Sequence, residues 1–416
     1  MTLKRREFLE LTGVAAAAAT LNVPSSIGQR PVPKSEFDYV DWGWQRWRTI
    51  TSETYPRLTG QQTGSAELVY PLDNPDKSTI KTPTAWNSRR ESISELIHSF
   101  LGNPPVSKPP LAPGIVEEKD FENYTRRKLT FQSELGDHIP AYLLVPKNLS
   151  RRVPAVLCPH QTTIPLTNGM REPAGVAGDP SQQTALHLVN RGYVTLTWDA
   201  ICFGERHDPS RGHYGDAIPF YQKHPRWSLM GKMIWDASRA IDYLETLDFV
   251  DSARIASVGH SHGGITTIFL MAFDSRIKVG ASNCGFDTFR LDGNTWRWSH
   301  ATALIPKLGF YVSSPYINMD QYRAFPDSEV IKTPFDMHEL LALISPRPLF
   351  LSTSDEDFVF PNAGWSVRQS LTRIEPLYAL LNASEKLRSY FFKAGHSFPS
   401  DASKHCYEWL DRWLKN

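Results

Sequence analysis

The chain has little of what marks several classes of protein. Four cysteines, Cys158, Cys202, Cys284 and Cys406, are scattered without the spacing of a Cys-x-x-Cys motif or a zinc site. We therefore expect buried free thiols and no bound metal. The formal net charge is only +1, and no long basic tract offsets that balance. This composition gives no electrostatic basis for binding nucleic acid.

Long apolar runs are also scarce. The stretch from Leu11 to Val23 is short and alanine-rich for a membrane-spanning helix. It follows Lys4-Arg5-Arg6-Glu7-Phe8-Leu9, and twin arginines before x-Phe-Leu are typical of a twin-arginine export signal. We predict that residues 1–23 are this signal, that the mature protein is periplasmic or secreted, and that no integral span remains after processing. The alternative is a basic terminus leading into an alanine-rich helix.

What is present indicates one large globular domain with extensions, or two modest ones. Hydrophobic residues make up 41% and charged residues 21% of the 416 residues, which is ordinary for a folded chain. Residues 24–123 read as an N-terminal arm, rich at first in Pro, Thr and Ser. Within it, Ser88 to Leu101 has one apolar helical face and ends before Gly102, so we predict a helix at about 88–101.

From residue 124 to 416 the pattern becomes regular, and strands alternate with helices. Such alternation predicts an α/β fold with a mainly parallel sheet covered by helices on both faces. Two long segments, about 204–230 and 288–335, interrupt the alternation and are the natural substrate-shaping loops. The predicted strands are Arg127–Phe131, His138–Pro146, Ala155–Cys158, Tyr193–Trp198, a strand before residue 259, Ile277–Ala281, Pro348–Thr353 and Leu387–Lys393.

The most specific motif is Gly259-His260-Ser261-His262-Gly263, which follows a β-branched run and precedes a helix-forming segment. Gly-x-Ser-x-Gly between a strand and a helix is typical of a nucleophile elbow, a sharp turn that presents the serine hydroxyl. A lone pentapeptide of this kind is weak evidence. Its value depends on an acid, a histidine and oxyanion donors that follow in suitable places.

An acid is expected in the loop after the strand Pro348–Thr353, because this architecture orders the groups as serine, acid, histidine. That loop reads Ser354-Asp355-Glu356-Asp357-Phe358-Val359-Phe360-Pro361. Asp357 is the favoured acid, since Asp-x-x-x-Pro closes the loop ahead of the next helix. Asp355 and Glu356 remain alternatives, or solvated loop charges.

A histidine is expected on a loop before the final helix, and His396 occupies that place after the strand Leu387–Lys393. A base there would take the serine proton, while the acid fixes its tautomer. His260 and His262 flank Ser261, and the elbow geometry points them away from its hydroxyl. His338 lies in a helical stretch where capping or packing is the expected role.

The tetrahedral intermediate needs two donors aimed at its oxyanion. The first is predicted to be the backbone N–H of His262 at the start of the helix. The second is expected from the loop after Ala155–Cys158, where the backbone N–H lies near Gln161 or Thr162. His160 is expected to order that loop by hydrogen bonding, or to contact the substrate.

Five segments together resemble an α/β-hydrolase, most similar to the bacterial acetyl xylan esterase and dienelactone hydrolase-like group. The resemblance covers about residues 88–416 and implies an ester hydrolase that needs no cofactor, with several members acting on acylated carbohydrates. It implies Ser261 as nucleophile, Asp357 as acid and His396 as base. Dienelactone hydrolases proper use a cysteine nucleophile, unlike this chain. The segments are Pro154–Thr163, Asp199–Arg206, the elbow, Ile344–Pro348 and Gly395-His396.

Four further residues are candidates for contact with the substrate. Asp199 and Arg206 lie in the loop after the fourth predicted strand, where an ion pair or a turn is favoured over contact with the substrate. Trp296 and Trp298, in the second insertion, offer rings that could stack on sugars, and packing within the insertion is the alternative.

The sequence thus predicts an exported serine esterase that deacylates acetyl or other esters of carbohydrates, with a small-molecule or oligosaccharide ester as partner. Its oligomeric state is not readable from the chain. A serine peptidase of the prolyl oligopeptidase type is one alternative, although roughly 120 irregular N-terminal residues cannot supply its repeat-built propeller. A non-catalytic binding module with the same fold is the other.

Overall fold

The structure is a computed structural model that describes residues 47–53, 70–73, 78–104, 107–163, 165–289, 291, 295–311 and 333–415. The predicted export signal lies outside the described residues. Ten α-helices are present in the described part of the chain, and we number them in order. They are α1 (Trp47–Thr51), α2 (Pro83–Leu101), α3 (Thr184–Val189), α4 (Ala217–Lys223), α5 (Leu229–Glu245), α6 (His262–Phe273), α7 (Thr295–Leu304), α8 (Met337–Ile344), α9 (Ala363–Leu380) and α10 (Ser400–Leu414).

The described strands form a single nine-stranded sheet in the order β1-β2-β3-β5-β4-β6-β7-β8-β9. The first three strands and the β3–β5 pair are antiparallel, and the strands from β5 to β9 pair in parallel. The predicted α/β fold is confirmed. The strands are β1 (Gly114–Asp120), β2 (Tyr124–Glu134), β3 (Asp137–Pro146), β4 (Val153–Leu157), β5 (Val194–Trp198), β6 (Val250–His260), β7 (Ile277–Asn283), β8 (Leu349–Ser354) and β9 (Leu387–Phe392).

The core lies on both faces of this sheet, because successive side chains of a strand point to opposite sides. On β4, Ala155 and Leu157 join one apolar cluster together with α5, α6 and α8. Val156 joins a second cluster together with α3 and α10. Both faces are therefore covered, and the carboxyl ends of the parallel strands are left as the place for a site.

The sheet begins earlier than the sequence predicts. Strand β1 pairs antiparallel with β2 from Gly114↔Thr130 to Asp120↔Thr125, so the expected boundary at residue 124 falls within the sheet. All seven residues of β1 are exposed. An edge strand whose residues are all exposed carries no alternation of buried apolar residues, which is why its sequence gives no strand signal.

The predicted arm helix also begins earlier, at Pro83, where Thr82 accepts a hydrogen bond from the Ala85 N–H at 3.2 Å as the N-cap. Its buried face, including Ile93 and Ile97, packs into the cluster shared with α5 and α8. The arm helix is therefore built into the main core.

All four cysteines are buried and free. Among the described helices, none is long and apolar enough to cross a membrane. Part of the second predicted insertion, residues 312–332, lies outside the described residues.

Candidate active site

The elbow is a sharp turn at the carboxyl edge of the sheet. Strand β6 ends at His260, α6 begins at His262, and Ser261 between them has φ 52° and ψ −119°. A non-glycine residue in this region is strained and needs fixing by its surroundings. The Ser261 N–H donates to the Asn283 carbonyl at 2.9 Å, and the Ser261 carbonyl accepts from Ile265 at 3.0 Å. The turn thus holds the serine hydroxyl on the outer side of the sheet edge.

The elbow sits against the loop after β4. A Cβ at Gly263 would lie 2.1 Å from the Pro159 carbonyl oxygen, so a side chain there would push the two segments apart. The glycine therefore lets the helix start approach the loop that carries Gln161 and Thr162.

His396 lies between Ser261 and Asp357. Its Nε2 is 2.8 Å from Ser261 Oγ, and its Nδ1 is 2.8 Å from Asp357 Oδ2. The Asp357 side chain is fully buried and the His396 side chain is 7% exposed. The structure thus brings the three residues predicted as nucleophile, base and acid into one hydrogen-bonded chain, across sequence separations of 135 and 39 residues.

The other Asp357 oxygen is fixed by the backbone. Asp357 Oδ1 accepts from the N–H groups of Val359 at 2.8 Å and Phe360 at 2.9 Å. The two alternative acids make other contacts or none with His396, since Asp355 pairs with Arg368 at 2.6 Å and Glu356 is exposed. Of the three acids in this loop, Asp357 is the one hydrogen-bonded to His396.

Aromatic rings enclose the His396 imidazole. Phe360 meets it edge to face at 5.4 Å between ring centroids, Phe358 lies at 6.1 Å, and the His260 ring lies at 4.8 Å. Burial and the nearby His396 hold the pKa of His260 well below its usual value, so His260 is neutral.

His338, the other histidine considered from the sequence, is buried within α8.

The predicted oxyanion donors lie on the other side of Ser261. The N–H of His262 begins α6 and has no partner within the helix, as is general for the first turn. Burial lowers the pKa of the His262 imidazole well below its usual value, with His300 and His160 contributing. Gln161 and Thr162 are half-buried on the loop after β4, and the Gln161 side chain donates to Glu172 at 2.9 Å.

His160 orders this loop. The Ala200 N–H donates to its Nε2 at 3.2 Å, so the proton sits on Nδ1, which lies 2.6 Å from the Gln161 carbonyl oxygen. Burial lowers the pKa of His160 to about 4. The ring is 2% exposed and packs edge to face on Phe203. These contacts match the expected loop-ordering role and leave the ring little surface for a substrate.

Asp199 and Arg206 make contacts within the protein, as expected for the favoured interpretation of an ion pair or a turn, and these contacts do not support the substrate-contact alternative. Asp199 is 1% exposed, and its two oxygens accept from the N–H groups of Met170 at 2.7 Å and Glu205 at 2.8 Å. Arg206 bonds to Asp236 at 2.8 Å and to Asp137 at 3.0 Å. The backbone of Trp296 and Trp298 lies in α7, and their side chains fall outside the described residues.

Asn283 is a site residue that the sequence reasoning missed. It ends β7, the strand next to the elbow strand, and it touches both Ser261 and the loop that follows His396. A polar residue at the carboxyl end of a predicted buried strand was the available signal.

One group of described residues has metal-ligand chemistry at close range. Ligand atoms of Cys284, Asp357 and His396 all lie within 4.8 Å of one another. Two of the three are the hydrogen-bonded carboxylate and imidazole, and Cys284 Sγ points at the Ser397 carbonyl at 3.8 Å. The hydrogen bonds that join Ser261, His396 and Asp357 are suited to moving the proton of the serine hydroxyl to His396.

Comparisons with known proteins find relatives among carbohydrate esterases. The 4-O-methyl-glucuronoyl methylesterase of Phanerochaete carnosa is 25% identical over 360 residues, which are 82% of this chain and 79% of that protein. Two solved structures share the fold at 18% identity. A glucuronoyl esterase from Solibacter usitatus has a TM-score of 0.62, covering 86% of this chain and 98% of that chain. One from Teredinibacter turnerae has a TM-score of 0.63, covering 90% and 99%.

The family model described as "Glucuronyl esterase, fungi" matches residues 160–374, slightly more than half of the 416 residues. This match spans Ser261 and Asp357 and ends before His396. The chain therefore belongs to the glucuronyl esterase family and is a carboxylic ester hydrolase with the α/β-hydrolase fold.

Proposed function

We propose that the protein hydrolyses a carbohydrate ester through an acyl-Ser261 intermediate. The observation that carries this is the continuous hydrogen-bonded chain from Ser261 Oγ through both nitrogens of His396 to Asp357. A serine hydroxyl is a weak nucleophile until a base takes its proton. In these hydrogen bonds His396 is the base, and Asp357 fixes its tautomer.

The reaction has two halves. Ser261 Oγ attacks the ester carbonyl while His396 Nε2 takes its proton, and the imidazolium then protonates the departing alcohol. In the second half His396 takes a proton from water, the hydroxide attacks the acyl carbonyl, and Ser261 leaves with its proton restored. Asp357 stays ionised throughout and stabilises the imidazolium.

Charge on the carbonyl oxygen needs donors in both halves. The His262 N–H is the proposed first donor, because it starts α6 without a helical partner and sits beside Ser261. The second is proposed from the backbone near Gln161 or Thr162, on the loop that Gly263 allows to approach the helix.

The family match favours a substrate in which the sugar supplies the acyl half, as an ester of a uronic acid. An acetylated carbohydrate, in which the sugar is the alcohol half, is the second candidate, and the resemblance to acetyl xylan esterases supports it. Both need the same serine chemistry, and they differ in which side of the ester the protein must recognise.

The test compares hydrolysis of methyl glucuronate esters, acetylated xylan, short and long aryl esters and peptide amides. We expect ester hydrolysis that Ser261→Ala abolishes, and fluorophosphonate labelling lost in the same variant. Ser282→Ala, a change to a buried hydroxyl on the neighbouring strand β7, is the matched control and should keep both. Labelling that persists in Ser261→Ala refutes this nucleophile, and activity on amides alone refutes the esterase.

We also propose export through the twin-arginine pathway, on the Arg5-Arg6 motif and the apolar stretch after it. Replacing both arginines with lysine should retain the protein in the cytoplasm, as measured by cell fractionation. Equal periplasmic amounts of both forms would exclude this route.

A further inference from the structure

We propose that Asn283 is a positioning residue that holds His396 in register with Ser261 by joining the elbow to the base loop. The inference rests on the proposed function, since it assigns His396 the role of base. It goes further by giving a role to a residue outside the Ser261–His396–Asp357 chain.

Asn283 contacts the nucleophile through its backbone. Its carbonyl accepts the Ser261 N–H at 2.9 Å, at the point where β7 pairs with the last residue of β6. The strained Ser261 backbone is therefore tied to the end of the neighbouring strand.

The side chain of Asn283 contacts the base loop. Its Nδ2 donates to the Ser397 carbonyl at 2.8 Å, across 114 residues of sequence, and Ser397 directly follows His396. Since a carbonyl oxygen can only accept, this bond identifies the amide nitrogen. Asn283 thus bonds to Ser261 through its backbone carbonyl and to Ser397, the neighbour of His396, through its side chain.

The second N–H of the amide donates to His260 Nδ1 at 2.7 Å. This bond leaves His260 in the neutral form with its proton on Nε2, because a protonated Nδ1 would face the amide N–H. The His260 ring then lies between His396, at 4.8 Å, and Phe398, which stacks on it at 6.1 Å and 12°. The neutral His260 imidazole thus packs against His396 without placing a second positive charge beside it.

The oxygen of the Asn283 side-chain amide lacks a hydrogen bond in the described part of the chain. Asn283 is fully buried, and its Oδ1 has no hydrogen-bond partner among the described residues. A buried acceptor without a partner costs free energy, so stability alone gives little reason for an amide here. Both of its donors serve the base loop and the ring behind the base.

The test uses Asn283→Asp, which keeps the shape and removes the donors, and Asn283→Ala, which avoids burying a carboxylate. Turnover of 4-nitrophenyl acetate and the rate of fluorophosphonate labelling report on the Ser261–His396 geometry. We expect kcat and the labelling rate to fall about 10- to 100-fold while KM changes less than about threefold, as misplacement of a catalytic group does.

Ser352→Ala is the matched control. Ser352 pairs with Asn283 across β7 and β8, is equally buried, and its hydroxyl has no partner among the described residues, so this variant should keep wild-type kcat. Folded Asn283 variants with wild-type kcat overturn the proposal. So does a rise in KM with kcat unchanged.

Proton NMR separates this proposal from the proposed function. The downfield resonance of the proton between His396 and Asp357 should be present in the wild type and broadened or lost in both Asn283 variants. An unchanged resonance overturns the positioning role. Wild-type protein that shows the resonance and hydrolyses no ester refutes the proposed function, while loss of the resonance in the variants still supports the positioning role.

Discussion

Asp199 and Asp357 are both buried carboxylates that follow the carboxyl end of a strand, β5 and β8 respectively. Each accepts two backbone N–H bonds. In Asp199 those bonds use both oxygens and join two loops. In Asp357 they use one oxygen, and the other faces His396. Burial and strand position therefore do not distinguish the acid proposed for catalysis from a structural one. The two aspartates differ in the partner of the second oxygen, which is a backbone N–H for Asp199 and the His396 imidazole for Asp357.

The charges around the two aspartates also differ. Near Asp199, Arg206 and Lys232 share the buried Asp236 and the partly exposed Asp137 in a network that ties α5 to the β2–β3 hairpin. Near Asp357 lie the His396 imidazole, hydrogen-bonded to Oδ2, and the buried Cys284 thiol, and the described contacts include no lysine or arginine paired with it. A permanent cation fixes a loop, whereas an imidazole can accept and release a proton near neutral pH.

The strongest test of this comparison is Asp357→Asn. The amide keeps the backbone contacts and favours the wrong His396 tautomer, so we expect kcat to fall by about 10⁴-fold with little loss of stability. Initial ester hydrolysis rates and thermal unfolding measure the two effects. A variant that retains most of its kcat would show that another acid serves His396.

Arg206→Met should act on stability instead. It leaves Asp236, whose side chain is fully buried, without one of its two cations, and breaking a buried pair in this way costs about 3–5 kcal/mol. Urea unfolding measures the loss. Fluorophosphonate labelling of the folded variant at low temperature should stay close to wild type, and a selective loss of labelling would give Arg206 a functional role after all.

Asp199→Asn should cost less, about 1–3 kcal/mol, because one backbone N–H then faces the amide NH₂. Its signature is pH dependence, since burial raises the pKa of Asp199 from 3.8 to about 7, against the effect of its two backbone bonds.

The sign of that dependence follows from proton linkage. The folded state holds the extra proton between the two pKa values, so this group's contribution to stability is complete below pH 3.8 and is lost as the pH rises through about 7. The free energy of unfolding of the wild type, relative to Asp199→Asn, should therefore decline from pH 4 to pH 7.5. Parallel curves for the two proteins would contradict the raised pKa.

The smallest effect is expected at Asp355, the acid two residues before Asp357. Its pair with Arg368 is partly exposed, with 29% and 46% of the two side chains accessible. Such pairs contribute about 0–1 kcal/mol. Asp355→Asn should therefore change neither kcat nor the unfolding midpoint appreciably, and a large loss of kcat would reopen the choice of acid in this loop.

Much of the fold was readable from sequence because it rests on local pattern. The predicted strands from residue 127 onward match observed strands to within a few residues, because most of them are short apolar runs bounded by turns. Strand β1 was missed because all its residues are exposed, so no alternation of buried apolar residues marks it in the sequence.

The sequence by itself determined the elbow, the order of serine, acid and histidine along the chain, and the strand ends where they lie, because each depends on residues close in sequence. The tertiary structure decided which of three acids meets His396, that Asp199 and Arg206 support loops, and that Asn283 joins Ser261 to Ser397. Those outcomes depend on contacts between distant parts of the chain. Arg206 and Asp236 are separated by 30 residues, Asp357 and His396 by 39, and Ser261 and His396 by 135. No local periodicity encodes such meetings. They follow from how the strand ends converge at one edge of the sheet.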